Sequence, residues 1–163
     1  MPAAALSLPI AERHLSLPDE AATAALAQRI AGLARVGDVI ALHGDLGTGK
    51  TFFARAFIGE AEVPSPTFTL VQTYARQDGP AIWHFDLYRL KQASEAIELD
   101  IEDAFAEGIS LIEWPERLGA LLPAERLDVA LTISPGSADE TTGRQVSLTG
   151  HGRWANLLDK VAP

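Results

Sequence analysis

The chain has 163 residues, 47% of them apolar, which is enough to bury a sizeable core as one globular domain spanning 1–163. Its 22 acidic against 13 basic residues give a formal charge of −9, so no broad basic surface is available to neutralise nucleic-acid phosphates; any RNA must be bound through a partner. It has no cysteine, which excludes a disulfide framework and cysteine-based zinc sites, and no apolar run approaches the roughly 18 residues of a membrane helix.

In chain order, the opening "MPAAALSLPIAERH" has no basic region ahead of an apolar stretch, so it does not read as a secretory signal, and a cytoplasmic protein is the expectation. "LPDEAATAALAQRIAGLARVG" carries Pro18 and two acids at its start, sets Ala22, Leu26, Ile30 and Leu33 on one face, and predicts a helix ending at Gly37. "DVIALHG" is a short apolar strand feeding a glycine-rich loop, and "TFFARAFIGE" continues as a helix to about Gly59. "TFTLVQTYARQDGPAIWHFDLYRL" reads as a hairpin turning at Asp78-Gly79. "KQASEAIELDIEDAFAEG" is helical, in one or two pieces, and "ISLIEW" is an apolar strand ending on an acid. "RLDVALTIS" and "RQVSLTG" form a second antiparallel pair, before a terminal helix at "HGRWANLLDKVA". Parallel β-α units mixed with hairpins predict an α/β fold, three-layer α/β/α, around a sheet of mixed parallel and antiparallel strands.

The loop carries the chemistry. Gly44, Gly49, Lys50 and Thr51 satisfy G-x-x-x-x-G-K-[ST] between a predicted strand and a predicted helix, the context of a P-loop NTPase. A chance match in a chain this long is roughly a one-in-a-hundred event. Glycine has no Cβ, so Gly44, Asp45, Leu46, Gly47, Thr48 and Gly49 can wrap backbone N–H groups around a polyphosphate, helped by the positive end of the helix that starts at Lys50. Lys50 then reaches the β- and γ-phosphates, and the Thr51 hydroxyl ligates Mg²⁺.

A nucleotide-bound Mg²⁺ also calls for a carboxylate. Glu113, ending the strand "ISLIE", stands where a strand's carboxyl end faces the ligand crevice, and Asp86 is a charge in an otherwise apolar strand; a structural salt bridge is the alternative for each. "VPSPTFT" is stiffened by two prolines, so Thr67 or Ser65 could present a hydroxyl to the γ-phosphate as a switch loop does, or the segment is simply a rigid strand entry. Trp114 either stacks at the site, forms a partner surface or packs in the core. His84 shares a strand face with Asp86 and reads as structural, and Arg55 and Arg89 lack the spacing that would identify an arginine finger. No "NKxD" tetrad is present, which disfavours a Ras-like GTPase and leaves ATP as the base by elimination.

"GDLGTGKTFFARAF", "VPSPTFTLVQTY", "HFDLYRL" and "GISLIEWPER", in this order between Leu42 and Leu118, resemble the TsaE family, formerly called YjeE. The resemblance implies a small bacterial P-loop ATPase that joins TsaB and TsaD, and with TsaC supports threonylcarbamoylation of adenosine 37 in ANN-decoding tRNAs. TsaD performs the transfer, Mg-ATP resets or regulates the complex, and tRNA is met only indirectly. By the same resemblance Lys50 binds phosphate, Thr51 and Glu113 serve Mg²⁺, Asp86 supports metal or water, and Trp114 with the "SPTF" segment lines the site. In one departure, the family often has glycine after "EL" where this chain has Asp100, which leaves that turn open. The competing readings are a small-molecule kinase on the same P-loop, disfavoured because no arginine-rich lid segment is evident, and a nucleotide-dependent binding module with negligible catalysis.

Overall fold

The computed structural model describes residues 7–60, 69–135 and 143–162. Among them, seven strands form one sheet in the order β1-β7-β6-β2-β5-β4-β3. These are β1 (Ile10–Leu17), β2 (Val39–His43), β3 (Val71–Arg76), β4 (Gly79–Asp86), β5 (Ile109–Glu113), β6 (Leu127–Ile133) and β7 (Arg144–His151). The helices are α1 (Glu20–Leu33), α2 (Lys50–Ile58), α3 (Ile101–Glu107) and α4 (Arg153–Val161), with 3-10 stretches at Ala93–Leu99 and Pro115–Leu121.

The four central strands β6, β2, β5 and β4 run parallel, and antiparallel hairpins close both sides: β3 on β4, and β7 on β6 with β1 beyond it. Parallel strands need both faces covered, and their composition shows it: every residue of β5 is buried, as are Val39 to Leu42 of β2. Side chains alternate between the faces. Ile40, Leu42, Ile109 and Leu111 meet Leu26 and Ile30 of α1, Phe53 and Phe57 of α2, and Trp154 and Leu158 of α4. Val39, Phe85 and Ile112 face the other way, onto Ile101 and Ala104 of α3 and onto Leu118. The expected three-layer α/β/α arrangement and mixed sheet are therefore both present. Phe53 alone, fully buried, contributes roughly 2–3 kcal/mol of apolar burial.

Local details follow from residue type. Asp19 caps α1 by accepting the Ala22 N–H at 2.8 Å, so Pro18 sits outside the helix; α1 ends at Leu33, short of the predicted Gly37, which takes φ +89° in the turn into β2. The stretch 91–108 is two pieces, the Ala93–Leu99 3-10 turn and α3, hinged at Asp100 with φ 59° and ψ 33°. Aspartate is among the non-glycine residues that tolerate that left-handed position. The turn left open by the sequence therefore forms. β1 was not anticipated. It is an edge strand whose inward positions run Ala11, Arg13, Leu15, Leu17; Arg13 breaks the apolar alternation and finds Asp159 of α4 instead.

Candidate functional site

The loop from Gly44 to Gly49 joins the carboxyl end of β2 to α2. Gly44, Gly47 and Gly49 have φ of 147°, 83° and 106°, a region costly for residues with a Cβ. At Gly44 there is also no room: a Cβ would lie 2.4 Å from Thr48 Oγ1 and 2.7 Å from the Leu131 carbonyl oxygen. Thr48 closes the loop on itself, its hydroxyl donating to the Asp45 carbonyl at 2.9 Å. Gly49 is the N-cap of α2 and supplies no side chain to cap it, so the first-turn N–H groups are left for an anion.

Arg144, the first residue of β7, steadies the loop from outside. Its Nε donates to the Thr48 carbonyl at 2.7 Å and its Nη2 to that of Gly47 at 3.4 Å. Nothing in the sequence singled it out, because the contact spans the whole sheet in chain position.

Lys50 is only 5% exposed. Its ammonium donates to the Gly44 carbonyl and lies 3.6 Å from the centre of the Trp114 ring, a cation–π contact. Burial lowers its pKa, and the negative field of Glu113, Glu116, Asp86 and Asp45 works against that. Trp114 holds its place at φ 60° and ψ 51°, left-handed and unfavourable for a bulky residue, with its ring tilted on Tyr88 at 5.0 Å. Trp114 thus touches Lys50 on one side and also packs against the buried cluster that holds Phe85 and Ile112.

Thr51, next along α2, donates its hydroxyl to Glu113 Oε1 at 3.0 Å. Glu113 is 2% exposed at the carboxyl end of β5, and its Oε2 lies 2.7 Å from Nε2 of His84, which is wholly buried on β4. Asp86 ends β4 and is the register partner of Glu113, so two acids stand side by side at the tips of adjacent parallel strands. Asp86 Oδ1 accepts the Tyr88 N–H at 3.1 Å.

One cleft is lined by Leu46, Gly47, Gly49, Lys50, Thr51, Asp86, Glu113 and Trp114; Gly44, Asp45 and Thr48 line the hollow beside it. Thr67 and Ser65 lie outside the described residues. The donor set in the cleft, one hydroxyl and two carboxylates, is oxygen-only and suits a hard cation. Among the described residues no group of three or more His, Asp or Glu side chains converges on a metal position.

A second polar cluster supports the loop from the opposite sheet face. Asp128 of β6 accepts hydrogen bonds from His43 at 2.8 Å, His151 at 2.8 Å and Arg126 at 2.9 Å. Burial alone would raise its pKa, yet these bonds prevail and hold it at about 2. His43 immediately precedes Gly44, so the cluster fixes the stem of the loop.

The model of the family described as "Threonylcarbamoyl adenosine biosynthesis protein TsaE" matches residues 17–145. This chain belongs to the TsaE family. It is 38% identical over 146 residues to the tRNA threonylcarbamoyladenosine biosynthesis protein TsaE of Bacillus subtilis, with 86% of each chain covered. The Rickettsia felis protein of the same name is 42% identical over 124 residues, covering 73% of this chain and 72% of the relative. The crystal structure of Bacillus subtilis YdiB superposes with a TM-score of 0.72 at 28% identity, covering 94% of this chain and 96% of the other. The TsaE match runs from the last residue of β1 to just past Arg144, and so takes in the loop, both acids, Trp114 and the strands that carry them. The fold is that of a P-loop NTPase, a nucleotide-binding architecture. No helix among the described residues is long and apolar enough to cross a membrane.

Proposed function

We propose that this TsaE chain binds and hydrolyses Mg-ATP and works with TsaB and TsaD, alongside TsaC, in threonylcarbamoylation of adenosine 37 of ANN-decoding tRNA, nucleotide turnover resetting or regulating the complex. The observation that carries the nucleotide reading is the Thr51–Glu113 hydrogen bond at 3.0 Å, which brings the residue after the P-loop lysine onto a strand-end acid. The family match supports the pathway.

In this reading the loop amides and the first turn of α2 bind the phosphates, and Lys50 leaves the Gly44 carbonyl and the Trp114 face for the β- and γ-phosphates. Thr51, Glu113 and Asp86 are the residues that would hold Mg²⁺ and its waters. When bound, the ion supplies neutralisation of phosphate charge. Either Glu113 or Asp86 orients the attacking water, and Trp114 excludes bulk solvent from the lysine. Both acids are buried, and burying a carboxylate is costly unless it has donors or a cation beside it. The formal charge of −9 suits a subunit that leaves RNA contact to its partners.

The test mixes the purified chain with TsaB and TsaD and compares phosphate release and tRNA modification with and without ATP over many cycles. Partner-stimulated phosphate release together with ATP-dependent multi-turnover modification is expected. If the partners do not associate and modification proceeds equally without this chain, the pathway assignment fails.

A further inference from the structure

We propose that His84 is a positioning residue for Glu113, fixing the carboxylate plane that the Mg²⁺-nucleotide site uses. The inference rests on the reading of that site given above and names a residue the reading does not need for contact. A carboxylate only accepts, so Nε2 of His84 is the donor, at 2.7 Å from Oε2, while Thr51 donates chiefly to Oε1 at 3.0 Å, with Oε2 further off at 3.3 Å. Two donors on the two oxygens fix the rotation of a group that is only 2% exposed.

His84 itself is enclosed. It is wholly buried, its register partners are Leu111 of β5 and Gln72 of β3, and it shares the sheet face of Ile82, which packs into the core beneath α2. Its Nδ1 has no hydrogen-bond partner among the described residues. An unsatisfied buried nitrogen is destabilising, so packing alone would favour an aliphatic side chain at this position. What the imidazole supplies, and an aliphatic cannot, is the donor aimed at Glu113. Thr51 can keep donating to Oε1 while its lone pair faces a metal, but it rides on α2; His84 ties the carboxylate to the sheet.

The experiment is calorimetric titration with a non-hydrolysable ATP analogue, with Mg²⁺ and with EDTA, on the full chain, with thermal melting as the fold control. Wild type should bind more tightly with Mg²⁺. His84→Leu should bind as wild type does in EDTA but lose at least tenfold of the Mg²⁺-dependent gain, and His84→Gln, whose amide nitrogen takes the place of Nε2, should recover it to within about threefold. His84→Asn, whose amide ends short of the carboxylate, replaces the leucine variant if that one does not fold and should fall with it. The proposal is overturned if the donor-less variant keeps the wild-type gain, or if the glutamine variant loses it as fully as the leucine variant does. A wild type that binds the analogue with no Mg²⁺-dependent gain would instead sink the metal reading of the site, and this inference with it.

Discussion

Thr51 Oγ1 donates to Glu113 across 3.0 Å, joining the first turn of α2 to the tip of β5, 62 positions further along the chain. The bond makes a side-chain hydroxyl at the phosphate end of a helix and a buried acid into one unit. Glu113→Gln preserves shape, keeps one oxygen to accept from His84 and turns its amide nitrogen into a donor towards Thr51 Oγ1, so folding and partner association should survive. Loss of the charge should lower partner-stimulated ATP turnover on the order of a hundredfold. Phosphate-release assays beside a pull-down check this, and undiminished turnover would remove Glu113 from the reaction.

Lys50 rests between the Gly44 carbonyl and the Trp114 ring, and in the proposed function it leaves both for the polyphosphate. Nucleotide addition should therefore change tryptophan emission in the wild type. Trp114→Phe should abolish most of the change, whereas Trp83→Phe should not. Lys50→Ala should weaken ATP binding by ~10- to 100-fold, the worth of a charge-assisted hydrogen bond of about 1.5–3 kcal/mol. An unchanged affinity would show that the lysine stays parked.

Arg144 reaches the loop from β7, so its removal should loosen the cradle without touching the acids. Arg144→Gln is expected to cost about 1 kcal/mol of nucleotide affinity, roughly fivefold, with the Mg²⁺ dependence retained. Titration in EDTA and in Mg²⁺ separates the two. A variant that lost the Mg²⁺ dependence as well would contradict a purely supporting role.

Asp128 provides an acid-sensitive brace. Its folded pKa of about 2 lies below the ordinary 3.8, so its contribution, about 2 kcal/mol, is fully present above pH 4–5 and disappears as pH falls towards 2. Asp128→Asn should be less stable than wild type at pH 7, and the gap should close on acidification. Urea unfolding at a series of pH values measures it; a gap that stays constant would mean the hydrogen bonds matter and the charge does not.

Much of the site was legible because it is local. The P-loop spells its own conformation through three glycines at positive φ, and "ISLIE" announces a buried strand with an acid at its end. The hairpin was equally plain, since β-branched and aromatic residues flank a turn, although the turn sits one residue earlier, at Gln77-Asp78, and Gly79 already pairs with Arg76. What stayed hidden depends on pairing between distant segments. His84 was seen to share a face with Asp86, but its partner is Glu113, and only the parallel register of β4 with β5 brings them together. Arg144 and the Asp128 cluster are of the same kind. β1 was missed because a strand with a single neighbour need not keep an unbroken apolar face, and Arg13 breaks this one.

The acid at the centre of the site is the last residue of a strand that is buried from end to end and bonded to a parallel neighbour on each side. Peptide groups so enclosed trade their hydrogens with solvent only when the sheet itself parts, whereas Leu46 and Gly47 lie open at the surface. Deuterium uptake should accordingly divide the cleft into a slow floor, led by Leu111 and Ile112, and a fast rim at the tip of the glycine loop.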